Sequence, residues 1–482
     1  MDEALLSFEH EKYETDEIYD KAVRNHIVKV SRLFKDAPTI VANSPQLLEF
    51  VDPANHSISH LAILNTLKHT DEASRPITPD AFREYILRFL LSFDARQIRY
   101  VGDVFYDLVK DVVECKFFPA RQAIQIVAIA LKRLDPESAV LTSIHLAVVK
   151  LAYETVNTDQ VLPIIESPWV FLPGMKDQAR PAYLCDLKAS PATYINPSTQ
   201  LTEYITREAV MEHDFMVGLI FTSKLRWADA HKAYQRIVAW PSKDTVASKI
   251  MSDAHKRWIL TGLLAQGRTP TPPTHISPGA MKSYVALSKV YADVASTFSS
   301  PNVEQLRALV EKNAETWNTD QTTTLVKEVV KAYQKWQILG LADVYCKISV
   351  PEIRQQTYNA ETADKLETDQ QVEDLLQDML NSGMLQGSLE NSSDDVKYIT
   401  FHPRDEEIDY TEYQKKINDD TRMKRLSKWT QASEARLAAS KDYAKHIIRE
   451  QKRQDKEGQT HAEFGFDASV EDEDLMTGIQ HP

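Results

Sequence analysis

The fold of this chain is decided by residues 348–401, which read ISVPEIRQQTYNAETADKLETDQQVEDLLQDMLNSGMLQGSLENSSDDVKYITF. Ser349 precedes Glu352 by three positions, the spacing of a capping box, so a helix is predicted to begin there. Apolar side chains at helical spacing predict another helix over 372–380. The runs 384–389 and 396–401 read as short strands. The stretch therefore predicts helices followed by a two-stranded hairpin.

Three helices followed by a hairpin make a winged helix, which we place at 342–403 with the polar link 390–395 as its wing. In DNA-binding proteins of this type, the last helix before the hairpin enters the major groove. Here that helix, 369–380, contains four carboxylates and neither lysine nor arginine. Its charge would repel phosphate, so duplex binding through this helix is disfavoured.

Upstream of this unit, from about 11 to 201, apolar residues recur every three or four positions, which is typical of amphipathic helices. Prolines such as Pro119 and Pro136 stand where one helix must end or the next can begin. Only 12 of the 482 residues are glycine, so few positions favour tight turns or phosphate-binding loops. These features predict an all-α dominated chain.

Two short helices over 215–223 and 227–240 are predicted to form a hairpin that resembles a tetratricopeptide repeat. Gly218, Ala228 and Ala230 are small enough to let its helices approach closely. A second helical pair is predicted over 248–266. The proline-rich segment 269–279 follows and is expected to be a stiff connector.

Beyond residue 403 the apolar residues predict one long helix with a single apolar stripe on a highly charged background. Such a stripe needs an apolar cover, so we expect it to bind a partner. Its candidate binding residues are Tyr410, Ile417, Leu426, Trp429, Leu437 and Ile447.

The pattern divides the chain into an N-terminal arm of tetratricopeptide-like helical repeats, a second module, a terminal helix and an acidic tail that we expect to be disordered. The predicted bounds are 1–207 for the arm, 208–403 for the module (helical bundle 208–341, winged helix 342–403), 404–452 for the helix and 453–482 for the tail.

Composition excludes several classes of function. Lys and Arg total 56 against 70 Asp and Glu, and a net charge of −14 works against non-specific binding to DNA or anionic lipid. The three cysteines are far apart in sequence, so neither a disulfide framework nor a structural zinc site is indicated. The first residues are unlike a signal peptide, and no apolar stretch is long enough to span a membrane. We expect a protein of the cytosol or nucleus.

Catalytic motifs are nearly absent. His56 and His60 have zinc-ligand spacing, but Ser57 stands where a metalloprotease would have its glutamate. The segment 262–269 is one residue short of a phosphate-binding loop and ends a helix, so a glycine helix terminus is the better interpretation. We expect no enzyme activity, no cofactor and no metal, and a metal site assembled from Asp52, His56 and His60 is the one enzymatic alternative.

Helical repeats followed by a winged helix and a terminal helix are the layout of the PCI domain. Scaffold subunits of the proteasome lid, the COP9 signalosome and translation initiation factor 3 share this domain. Among these, the chain resembles the subunit 3 family of the COP9 signalosome over about 90–403. The residues that carry the resemblance are 98–105 (IRYVGDVF), 141–145 (LTSIH), 309–315 (LVEKNAE), 325–327 (LVK), Ile348, Ser349, Glu352, Ile353, Met379, Leu380 and Gly383.

This resemblance implies a non-catalytic scaffold in a complex that removes Nedd8 from cullin-RING ubiquitin ligases, with the chemistry on a separate metalloprotease subunit. It implies a hetero-oligomer with that subunit and the other PCI subunits, in nucleus and cytoplasm, without membrane or nucleic-acid partners. The hairpin would add its strands to neighbouring subunits, and the terminal helix would join a common bundle. The candidate hairpin residues are Met384, Leu385, Leu389, Tyr398, Ile399 and Phe401. The alternatives are a PCI scaffold of the proteasome lid or of initiation factor 3, and a PCI-type nucleic-acid adaptor.

Overall fold

The computed structural model describes residues 2–8, 13–167, 169–174, 181–241, 247–274, 276–391 and 397–402. After 402 it describes positions 417, 420, 423–424, 426–427, 429–431, 433–435, 437–438 and 440–459. The chain forms two units, one of residues 1–175 and 179–408 and the other of 176–178 and 409–482. The finer division into arm, bundle and winged helix stays a prediction.

The first part of the chain is a succession of helices, as the spacing of its apolar residues predicts. These helices are α1 Asp2–Leu5, α2 Asp16–Leu33, α3 Ala37–Phe50, α4 Ser57–Lys68, α5 Pro79–Ser92, α6 Ala95–Ile98, α7 Gly102–Val113, α8 Ala120–Leu134, α9 Ser143–Glu154, α10 Thr158–Ile165 and α11 Pro191–Tyr194. A single turn of 3-10 helix, Glu72–Ser74, precedes α5. Threonine side chains cap several of them, as where Thr78 accepts a hydrogen bond from the backbone N–H of Ala81.

The described part of the connection after α10, residues 181–206, is held against the earlier helices by hydrogen bonds and close packing. Arg96 Nε donates to the carbonyl of Cys185 at 2.6 Å, and Arg99 Nη1 donates to the carbonyl of Leu184 at 2.9 Å. Gly102, which begins α7, lies so close to this segment that an added Cβ would be 2.1 Å from the carbonyl oxygen of Thr199. The connection is therefore fixed by tertiary contacts that local sequence does not reveal.

The second group of helices continues in the same unit. Its members are α12 Arg207–Ser223, α13 Trp227–Val238, α14 Lys249–Gln266, α15 Pro278–Leu287, α16 Lys289–Phe298, α17 Val303–Lys312, α18 Ala314–Thr319 and α19 Thr323–Ala342. The predicted hairpin of α12 and α13 is confirmed, because a Cβ at Gly218 would be 2.5 Å from the ring of Tyr234. The prediction of two helices over 248–266 is wrong, because α14 is one continuous helix that contains no proline and passes through Gly262 without a break.

The small sheet and its helices follow α19. They are β1 Lys347–Ser349, α20 Val350–Gln356, α21 Asp369–Asn381, β2 Gly387–Asn391 and β3 Lys397–Phe401. The last helix, α22, spans Lys441–Gln459. The chain is thus all-α dominated, as predicted. None of the described helices is long and apolar enough to cross a membrane.

Candidate subunit-binding surfaces

The region predicted to be a winged helix has a core of its own. Buried side chains from α19, β1, α20, α21 and the hairpin form one apolar cluster: Ile338, Ile348, Val350, Ile353, Val372, Leu376, Met379, Leu385, Ile399 and Phe401. Ser349 and Glu352 form the predicted capping box at the start of α20, and Thr368 and Gln371 form another at α21. Local capping and apolar spacing therefore produce the helices on which the sheet packs.

The sheet has three strands in the order β1-β3-β2, and both pairings are antiparallel. The predicted two-stranded hairpin is present, but it lies beside the three-residue strand β1, which sequence reasoning missed. The predicted first strand, 384–389, is also shifted, because β2 begins at Gly387. Met384 and Leu385 instead lie in the turn that leaves α21, where both of their N–H groups donate to the carbonyl of Met379.

The register shows which backbone groups of β2 point away from the sheet. The N–H of His402 donates to the carbonyl of Gln386 at 3.1 Å, and the N–H of Phe401 donates to the carbonyl of Cys346 at 2.8 Å. Bonding direction alternates along an antiparallel strand, so every second residue of β2 directs its backbone groups towards β3. Gly387 and Leu389 therefore direct theirs towards the outer edge.

In the part of the chain that the structure describes, no strand pairs with this outer edge of β2. An unpaired edge is a template for a further strand. At the opposite side of the sheet, β1 is only three residues long, and the segment before it exposes 73% of Val344 and 38% of Tyr345. The longer edge, that of β2, is the better candidate for a partner strand.

The candidate hairpin residues divide into two groups. Leu385, Ile399 and Phe401 are 4%, 0% and 8% exposed and belong to the chain's own core, so their side chains hold the region together and do not face a partner. Met384 and Leu389 are partly buried against that core, and Tyr398 is half-buried with Lys347 Nζ 5.4 Å from its ring centre. We therefore restrict the predicted partner-binding groups of the hairpin to the outer backbone edge of β2 and the side chains of Met384, Leu389 and Tyr398.

The acidic surface of α21 is partly neutralised within the chain. Arg354 lies 3.0 Å from the carboxylate of Asp369, and Lys397 pairs with Glu373. Gln370 donates to Asp374 at 3.0 Å. The helix contributes no cation of its own, so the argument against duplex binding through it is unchanged.

The terminal region differs from the predicted single helix. Ser440 is not helical, and its Oγ accepts a hydrogen bond from the N–H of Tyr443, so it caps a new helix, α22. The helix also extends to Gln459, so the first seven residues of the predicted disordered tail, 453–459, are helical. The rest of that tail, 460–482, lies outside the described residues.

Members of the predicted apolar stripe differ in exposure. Trp429 is 6% exposed and Leu426 is half-buried, whereas Ile417 and Leu437 are each 46% exposed. Ile447 is half-buried, and Tyr410 lies outside the described residues. Ile417 and Leu437 therefore expose the most apolar surface among the described members of the stripe.

A groove of about 820 Å³ lies where α13, α14 and α19 meet α21, and sequence reasoning did not identify it. Apolar side chains from several helices and from the turns beside them line it, including Leu225, Trp227, Trp336, Leu339, Leu375 and Met384. Leu225 is 61% exposed there. The side chains of the described residues therefore leave this junction incompletely filled.

The motifs that resembled chemical sites serve the fold. His60 is buried, its Nδ1 lies 2.9 Å from the carbonyl of Val51, and its ring stacks on Phe89. The described residues contain no group of three His, Cys, Asp or Glu side chains placed to hold a metal, so Asp52, His56 and His60 do not assemble such a site. Gly267 ends α14 in a left-handed conformation, φ 68°, which confirms the helix-terminus interpretation.

Comparison with known proteins agrees with this architecture. A family model for the N-terminal helical repeats of COP9 signalosome complex subunit 3 matches residues 24–173. COP9 signalosome complex subunit 3 of Neurospora crassa is 35% identical over 477 residues, which cover 96% of this chain and 96% of that protein. The chain belongs to the COP9 signalosome subunit 3 family. The Emericella nidulans subunit 3 is 27% identical over 355 residues, covering 71% of this chain and 70% of that protein.

Family membership confirms the resemblance found in the sequence and favours the signalosome over the proteasome lid and initiation factor 3. The match to the subunit 3 repeats begins within α2 and continues past α10, so it covers most of the predicted arm. The Neurospora crassa relative extends the similarity over almost the whole chain, including the sheet and the terminal helices.

Proposed function

We propose that this chain is a non-catalytic scaffold subunit of the COP9 signalosome, which supports the removal of Nedd8 from cullin-RING ubiquitin ligases by a separate metalloprotease subunit. The near full-length similarity to the Neurospora crassa subunit 3 is the observation that carries the proposal. The two motifs that resembled a zinc site and a phosphate-binding loop agree with a non-catalytic role. His60 is buried in packing, and Gly267 ends a helix.

The scaffold would assemble through the outer edge of β2. Main-chain hydrogen bonds to an added strand supply affinity, and the partly exposed side chains of Leu389 and Tyr398 supply specificity. The neighbour would be another PCI subunit, which also presents a winged-helix sheet. The terminal helices would contribute the second contact, because Leu437 leaves apolar surface exposed on a charged helix.

We expect Leu389→Pro to weaken assembly with the neighbouring PCI subunit while the chain stays folded. The N–H of residue 389 points to the outer edge, so proline removes a donor for the partner strand but no bond to β3. Pull-down of the neighbour from a reconstituted mixture, beside a thermal melt of the variant alone, measures both properties.

Leu389→Ala is the matched control, because it removes the same side-chain packing but keeps the N–H group. A neighbour captured equally by the proline and alanine variants would refute the edge proposal. Ser388→Pro should behave differently from both, because residue 388 bonds to β3 and its loss should unfold the hairpin.

The function as a whole is tested by mass spectrometry of proteins that co-purify with the tagged full-length chain from its own cells. We expect several PCI subunits and a metalloprotease subunit, and fewer of them with a chain that ends at Pro403. The double variant Ile417→Asp/Leu437→Asp should reproduce part of that loss, because both side chains are 46% exposed.

Val285→Asp/Leu287→Asp is the control for that variant, since these residues of α15 are 65% and 55% exposed but lie outside the proposed surfaces. Co-purification of proteasomal, ribosomal or nucleic-acid-bound partners instead would refute the choice of complex. Cleavage of Nedd8 from a cullin by the purified chain alone would refute the non-catalytic role.

A further inference from the structure

The helix α2 and the turn after it contain a concentrated positive charge. Residues 21–35 read KAVRNHIVKVSRLFK, with five cations and no carboxylate, in a chain whose net charge is −14. The acidic residues of α2 all precede Lys21. Charge is therefore separated along the helix, and its C-terminal two-thirds are strongly basic.

These cations share one side of the helix. Tyr19, Val23, His26 and Val30 are buried against the core, and the opposite side is exposed. Positions 21, 25, 28 and 32 recur at intervals of four and three and lie in line on that exposed side. Lys29 is exposed beside this line, and Lys35 is exposed in the turn that follows the helix. We call Lys21, Val28, Lys29, Arg32 and Lys35 the basic face.

The charges of the basic face are unused by the described part of the chain. Arg24, at its margin, pairs with Asp20 at 2.7 Å. The described residues place no ion-pair partner beside the four cations of the basic face. Val28 is 48% exposed among them, and Ile18, one turn before Lys21, is 53% exposed. The surface thus combines cations that have no ion pair within the described part of the chain with branched apolar side chains.

We propose that the basic face binds an acidic segment of a partner protein, one that carries apolar side chains between its carboxylates. Charge complementarity supplies the attraction and the on-rate, and the apolar side chains of the segment cover Val28 and Ile18. The basic face has no aromatic ring on which a base could stack, and the net charge of −14 opposes nucleic acid. This contact is separate from the strand-edge assembly proposed above.

The test measures binding of a fluorescein-labelled peptide of glutamates with two leucines to the full-length chain by fluorescence anisotropy. We expect Lys21→Glu, Arg32→Glu and Lys35→Glu, made together, to weaken binding about tenfold, since each exposed ion pair contributes a few-fold. Raising the salt concentration should weaken it as well. The control variant Lys282→Glu/Lys289→Glu/Lys312→Glu changes net charge equally at exposed sites elsewhere, and it should stay within about twofold.

Four results would overturn the proposal. The peptide could fail to bind, or the control variant could weaken binding as much as the basic-face variant. Deletion of 460–482 could raise peptide affinity several-fold, which would assign the basic face to the chain's own acidic tail. A single-stranded RNA could displace the peptide at a lower concentration than unlabelled peptide does, which would assign it to nucleic acid.

Discussion

Asp214→Asn is expected to lower the free energy of unfolding by about 2 kcal/mol, because it removes the charge of a buried carboxylate that accepts hydrogen bonds from Arg236, whose side chain is 39% exposed. The Asp214 side chain is 1% exposed, and Arg236 donates to its two oxygens at 2.9 and 2.8 Å. Trp169 Nε1 also donates to it at 3.4 Å. Burial by itself would raise the pKa of Asp214, but the hydrogen bonds from Arg236 and His213 hold that pKa below its usual value.

Chemical denaturation of Asp214→Asn and of a control variant, Asp229→Asn, tests this prediction. Asp229 also pairs with an arginine, Arg226, at 2.7 Å, but its side chain is 33% exposed. Water can solvate both of these exposed charges, so Asp229→Asn should lower the free energy of unfolding by less than about 1 kcal/mol. Equal losses in the two variants would show that burial of Asp214 does not determine its contribution.

Acid is expected to destabilise this protein well above the pH at which carboxylates titrate. Burial lowers the pKa of several histidines, and these values are about 4 for His26, His60 and His255 and about 3 for His145. An unfolded histidine titrates near 6.5, so the stability that these neutral rings contribute is complete above that pH. It is lost as pH falls from about 6.5 towards 4. At pH 5 each ring favours the unfolded chain by up to about 2 kcal/mol.

Thermal melts from pH 7.5 to 5 measure this loss, and histidine variants identify its source. His255→Gln should flatten the pH profile, whereas His69→Gln, at an exposed site, should leave its slope unchanged. Asp135 acts in the opposite direction, because burial raises its pKa to about 6. As pH falls from 7.5 to 5, its protonation in the folded chain raises the free energy of unfolding by roughly 1 kcal/mol. A melting temperature that is constant over this range would contradict the prediction.

Helix positions were predictable because the signals are local. Apolar spacing, prolines at helix starts and capping residues act within one or two turns, and the capping box of Ser349 and Glu352 formed as its sequence predicts. The errors arose where local signals are weak. The strand β1 has three residues, and Ser440 interrupts an otherwise continuous helical pattern with one hydroxyl.

By itself, the sequence determined the all-α dominated class, the hairpin that follows the helices, the carboxylate-rich α21 and the resemblance that family membership confirmed. Only the tertiary structure decided which hairpin side chains are core, as for Ile399, and which edge of the sheet is open. It also brought Asp214 to Arg236, and it left the cations of the basic face exposed without an ion pair among the described residues. The reason is physical: a helix forms from contacts between neighbours in sequence, whereas strand pairing and burial depend on residues far apart in the chain.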